Sequence, residues 1–135
     1  MLPSHPTQRA AIDLAGRLLL ASLFIVSALQ KAQHFQDVAG WMASMGVSGD
    51  LLPFVIGLEL LGGLAVAVGF HTQLAAICLG VFSCVAAAIF HRDFGDETQF
   101  LMFMKNLVIA GGFFVLAANG PARFSVDAIR ARRTP

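Results

Sequence analysis

Residues 51–70 read LLPFVIGLELLGGLAVAVGF, twenty positions with a single charge, Glu59. A helix built from this run has no solvated face. At 1.5 Å per residue it covers about 30 Å, the thickness of a bilayer's hydrocarbon core. Three similar runs flank it, at about 12–29, 74–90 and 100–118. Each is long enough to cross a membrane once as a helix. Composition agrees: 57% of the chain is hydrophobic and only 13% is charged, where a soluble domain carries roughly 25%. So few charges cannot coat a soluble surface, and lipid must be the outer solvent. The expected fold is all-α, an integral membrane four-helix bundle occupying 1–135 as one domain.

The remaining composition narrows function. A net charge of +1 gives no basic patch for nucleic acid. Twelve Phe and one Trp, with no Tyr, suit lipid-facing and core packing. Cys78 and Cys84 lie six helical steps apart, about 240° of rotation, and face different sides. They form no disulfide framework. His34, His91, Asp93, Asp96 and Glu97 show no recognised metal spacing, and no metal is expected.

The connections differ in character. Residues 69–73 make a tight uncharged turn, and 91–99 a short polar loop. Residues 30–50 are longer, and Phe35, Val38, Met42 and Met45 recur in them at helical spacing beside Trp41. That pattern predicts a short interfacial helix in this first outer loop, ended by Gly46 and Gly49, and able to cover a chamber beneath it. The first run also has a rival reading. Arg9 and Arg17 before an apolar stretch ending Val26-Ser27-Ala28 resemble a cleavable signal. Lys31, in helical phase with Arg17, favours a retained span.

Lys and Arg set the expected orientation. Arg123, Arg130, Arg132 and Arg133 follow the last run, and Arg9 precedes the first. The loops at 30–50 and 91–99 carry one such residue each. Both termini are therefore expected in the cytoplasm.

Charges inside spans are costly, at least about 2.5 kcal/mol each at the centre. On this topology Glu59 lies about 12 Å into the second span and Lys105 about 8 Å into the fourth, on the same outer side. Lys31 and His91 end the first and third spans there, and Asn106 follows Lys105. Glu59 should pair with Lys105 or Lys31. Glu59 and His91 are the candidate catalytic, proton-handling groups; Lys31, Lys105, Asn106 and Arg17 are the candidate ligand contacts. Arg17, near the other face, also reads as a structural residue. Ala76, Gly80, Cys84, Ala87 and His91 form a stripe of mostly small residues along the third span, and glycine pairs lie below Glu59 (Gly62, Gly63) and Lys105 (Gly111, Gly112). These should let helices pack closely.

Several stretches, in order, resemble the DoxX family of bacterial membrane proteins. They are Arg17, Lys31 and His34-Phe35; Met42-Ala43-Ser44-Met45-Gly46; Gly57-Leu58-Glu59-Leu60-Leu61-Gly62-Gly63; Val68-Gly69-Phe70-His71-Thr72; Lys105-Asn106-Leu107 with Gly111-Gly112; and the ending from Asn119-Gly120-Pro121 to Asp127. The match runs over about 12–130, departing at Ala122, where the family often has Gly. The resemblance implies a four-helix protein of the bacterial inner membrane. It further implies a redox-associated role, since some relatives are subunits of quinone-linked oxidoreductases or of oxidative-stress complexes. A quinone, a redox partner protein and a homo-oligomer are expectations of that kind. The residues also admit a non-enzymatic scaffold or assembly factor, and a small-solute or proton pathway.

The orientation is directly measurable. A reporter fused after Arg133 should read cytoplasmic, and a cysteine placed at Gly95 should react with an impermeant reagent from outside. Labelling of the C-terminus from outside would reverse the assignment.

Overall fold

The computed structural model describes residues 5–133. The chain runs through α1 (Pro6–Gln33), α2 (Phe35–Ser44), a 3-10 turn (Gly49–Leu51), α3 (Leu52–Val68), α4 (Thr72–Phe90), α5 (Glu97–Asn119) and α6 (Val126–Ala131). Four helical segments are long and apolar enough to span a bilayer: α1, the 3-10 turn continued into α3, α4 and α5. The fold is the all-α membrane bundle the hydropathy predicts, and the 30–50 segment contains the expected short helix. Only α1 differs much from its expected limits, starting at Pro6 rather than near 12 and ending at Gln33 rather than near 29. Pro6 sits in the first helical turn, where its missing N–H costs nothing. Polar residues at both ends let the helix run past the hydrocarbon, about 42 Å in all.

The helices pack as two pairs, α1 with α3 and α4 with α5, joined through α3 and α4. The buried core is Ala21, Phe24, Val66, Ala76, Leu79, Phe113 and Leu116. Outside, Ile12, Leu19, Phe54, Leu61 and Val108 are each at least 70% exposed. Burying a side chain of this kind is worth about 1.5–3 kcal/mol, a gain that contact with lipid tails supplies here.

Small residues set the spacing where helices meet. A Cβ at Gly62 would lie 3.1 Å from Leu79 of α4, and one at Gly63 3.0 Å from Ile25 of α1. On α4 the buried stripe is Ala76, Leu79, Gly80, Ser83 and Ala87. Ser83, bonded back to the Leu79 carbonyl at 2.9 Å, is buried where the spacing pointed to Cys84, which is half-buried. The glycine pair on α5 departs further from expectation. A Cβ at Gly112 would meet Leu20 of α1 at 3.3 Å, but one at Gly111 would meet nothing within 4 Å. The reason is that α1 and α5, first and last of the four, scarcely touch.

The end of the bundle near the termini is tied by polar groups. Arg17 is 1% exposed. Its Nε donates to Asp13 Oδ2 at 2.9 Å, and its Nη1 donates to the carbonyls of Val66 (3.1 Å) and Ala67 (2.8 Å). Its Nη2 donates to the Phe124 carbonyl. These acceptors include carbonyls of α3's last turn, which have no partner within the helix. Asp13 also accepts from the Ala122 amide at 3.1 Å. Gly69 then turns the chain at φ +73, and a Cβ there would fall 2.4 Å from that of Ser125. Only glycine satisfies both the left-handed turn and the close approach.

Asp127 completes this tie. α4 starts from His71, which is left-handed at φ +43 and makes no side-chain cap. Asp127 caps it from across the fold, accepting from the His71 amide (2.9 Å), the Thr72 amide (2.9 Å) and the Thr72 hydroxyl (2.8 Å). Partial burial pushes the Asp127 carboxyl up, but these hydrogen bonds outweigh it and hold it below its ordinary value. A depressed folded-state value means the stabilisation is complete above the unfolded carboxylate value and is lost as pH falls through the folded one. Asp127→Ala should cost about 2 kcal/mol in detergent melting at neutral pH. The gap to wild type should shrink as pH falls below the carboxylate range. A gap that widens on acidification would contradict the assignment.

Candidate functional site

At the opposite end a cavity of about 320 Å³ opens among α1 to α5. Its polar feature is an ion pair between α1 and α3. Lys31 Nζ lies 3.1 Å from Glu59 Oε1, with Glu59's side chain 4% exposed and Lys31's 26%. Ser27, one helical turn before Lys31, accepts from Nζ and donates to the same Glu59 oxygen at 3.4 Å. Lys31 is the partner because α1 packs along α3, whereas α5 packs against α4. The other Glu59 oxygen, Oε2, is buried and accepts from no group among the described residues. A buried carboxylate oxygen without a donor is costly.

The rest of the expected cluster lines the same cavity. Lys105 and Asn106 enter from α5, and His91 from the end of α4. Asn106 donates to the Met102 carbonyl at 2.9 Å, and His91 Nδ1 lies 2.9 Å from Gln99 Oε1. Lys105 is exposed and forms no ion pair among the described residues. Five of the six candidate residues therefore share one cavity. Arg17 does not: it belongs to the tie at the other end. There Asp13 and three carbonyls take its guanidinium nitrogens.

Aromatic residues that sequence reasoning left out of the site shape its walls. Phe24 lies edge-on to Phe82 (6.4 Å) and Phe113 (5.4 Å), and Phe24 and Phe82 both line the cavity. Trp41 of α2 stacks on Phe90 at 4.7 Å, with 26° between the rings. Val38, Trp41 and Met42 bring α2 over the cavity, as its apolar stripe predicted. The signal available for the walls was the helical phase of Phe24 between Arg17 and Lys31. None pointed to Phe82.

These features define a polytopic helical membrane protein with a buried carboxylate–ammonium pair in a mostly apolar, covered cavity. The chain belongs to the DoxX family, whose model matches residues 12–92. It is 42% identical over 114 residues to inner membrane protein YqjF of Escherichia coli (strain K12), covering 84% of this chain and 88% of that protein. It is 28% identical over 127 residues to inner membrane protein YphA of the same organism, covering 88% and 90%. No solved structure matches it. The family, those relatives and four spanning helices make it an integral protein of the inner membrane, in contact with the bilayer.

The pairing has a mutational test. Glu59→Gln should strand the Lys31 charge and lower stability by about 3 kcal/mol, at the low end for a buried pair because Lys31 keeps some exposure. Adding Lys105→Met should not restore it, whereas the double change Lys31→Met with Glu59→Leu should. Rescue by Lys105→Met in detergent melting would assign the pair to the wrong lysine.

Proposed function

We propose that the chain binds a small redox amphiphile of the quinone class and presents it to a partner redox protein. The observation that carries this reading is Glu59 Oε2, a buried oxygen of a cavity-lining residue that has no donor among the described residues. A quinol hydroxyl is a donor of the kind that oxygen lacks. Lys105 and Asn106, on the α5 wall, supply donors for a second ring oxygen. Phe24, Phe82, Phe90 and Trp41 give the ring flat apolar surfaces. A volume near 320 Å³ is at the small end for ligand sites and fits a single substituted ring.

Within this reading the chain's own residues bind, orient and hold protons. Lys31 and Ser27 keep Glu59 in place, Oε2 accepts a hydroxyl proton, and His91 can pass a proton toward the loop. α2 keeps bulk water off the ring. Oxidation of the quinol releases two electrons, which the partner must take up, and two protons, which leave through Glu59 and His91. The proposal includes the orientation expected from the arginines, with both termini cytoplasmic and the cavity facing outward.

Trp41 is the sole tryptophan and lines the cavity, so its fluorescence reports occupancy. A short-chain quinone titrated into detergent-solubilised protein should quench it saturably. The Lys31→Met, Glu59→Leu variant, which keeps the fold, should bind at least tenfold more weakly, about 1.4 kcal/mol. Quenching that never saturates, or is identical in the variant, would overturn the proposal and leave the charged pair as an assembly device.

A further inference from the structure

A second and larger recess, about 820 Å³, lies between α1 and α5 near the termini. We infer that it is a binding groove for one acyl chain of an anionic phospholipid, with the headgroup held at Arg9. The inference is independent of the proposed quinone site.

The groove exists because α1 and α5 touch little, leaving space between them. Ile12, Gly16 and Leu20 form one wall, Gly111 and Val115 the other. A Cβ at Gly16 or at Gly111 would meet nothing within 4 Å, so both glycines border open space. The recess runs along α1 from Arg9 to Leu20, about 16 Å at 1.5 Å per residue. One leaflet of hydrocarbon is about 15 Å deep, half of a 30 Å core. Beyond Leu20 the seam is closed by Phe24, 5% exposed and edge-on to Phe113 at 5.4 Å. A partner's spanning helix would need the full thickness of the seam; a lipid chain from one leaflet needs only this half.

Charge selects the headgroup. Three charged residues line the groove: Arg9, Asp13 and Arg17. Asp13 and Arg17 are joined at 2.9 Å and further satisfied by backbone groups. Arg9 is exposed and has no ion-pair partner among the described residues. One available guanidinium at the mouth of an apolar channel complements a phosphate bearing uncompensated negative charge.

The test is native mass spectrometry of the full chain in mild detergent, with added phosphatidylglycerol or phosphatidylcholine. Wild type should retain one phosphatidylglycerol per chain in preference to phosphatidylcholine. Gly16→Leu with Gly111→Leu should fill the groove and cut retention at least tenfold while leaving the melting temperature and Trp41 quenching by quinone unchanged. Arg9→Gln should keep lipid but lose the preference between headgroups. Equal retention of both lipids by wild type, or undiminished retention by the glycine variant, would overturn the inference. So would a lipid-free dimer that the glycine variant dissociates, which would assign the groove to a second copy.

Discussion

A guanidinium removed from water needs an acceptor for nearly every donor it carries, and hydrocarbon offers none. Arg17 meets that demand inside the protein by drawing three parts of the chain to one point: its own helix through Asp13, the end of α3 through Val66 and Ala67, and the C-terminal segment through Phe124. Two of the carbonyls it occupies, Val66 and Ala67, belong to the last turn of α3, where Val66 also accepts from the Gly69 amide at 3.3 Å. The charge and the helix terminus thus resolve each other's cost. Gly69 and Asp127 work on the same junction, one permitting the backbone approach and the other capping α4.

The two ends of the bundle use charge differently. Near the termini the polar groups form a nearly closed set, with Arg17, Asp13 and Asp127 all partnered. At the opposite end Lys31 and Glu59 pair, yet one carboxylate oxygen remains without a donor and Lys105 remains without a counter-ion among the described residues. A purely structural arrangement would favour closing both sets, because an incomplete buried network is worse than none. The difference in completion, more than the presence of charge, sets the two ends apart.

The fold was legible because lipid leaves so few options. Four apolar runs of spanning length, with few charges, admit only helices, and the spacing of Phe35, Val38 and Met42 was enough to place α2. The cavity was legible through depth: Lys31, Glu59, His91, Lys105 and Asn106 fall at one level when spans alternate direction. Two things were not. Which lysine pairs with Glu59 depends on which helices are neighbours, and hydropathy says nothing about neighbours. The partners of Arg17 were hidden because they are mostly backbone carbonyls some 50 and 107 residues away, which carry no side-chain signature. Asp13, four residues before it, was the one local sign. Gly111 misled for a related reason: small residues mark a close approach only where another helix is present to approach.

The tie at Arg17 joins the first spanning helix to the segment that follows the fourth. During synthesis α1 enters the membrane with Asp13 beside Arg17, and α3 can then offer Val66 and Ala67. The Phe124 carbonyl and the Asp127 carboxylate arrive only after all four spans have left the ribosome. The order of translation is therefore written into the order in which buried donors are satisfied, and the nascent bundle stays loosened at one end until its tail emerges. A chain cut after α5 would carry all four described spans and still lack the Phe124 carbonyl and the Asp127 carboxylate, leaving Arg17 Nη2 and the start of α4 without those acceptors.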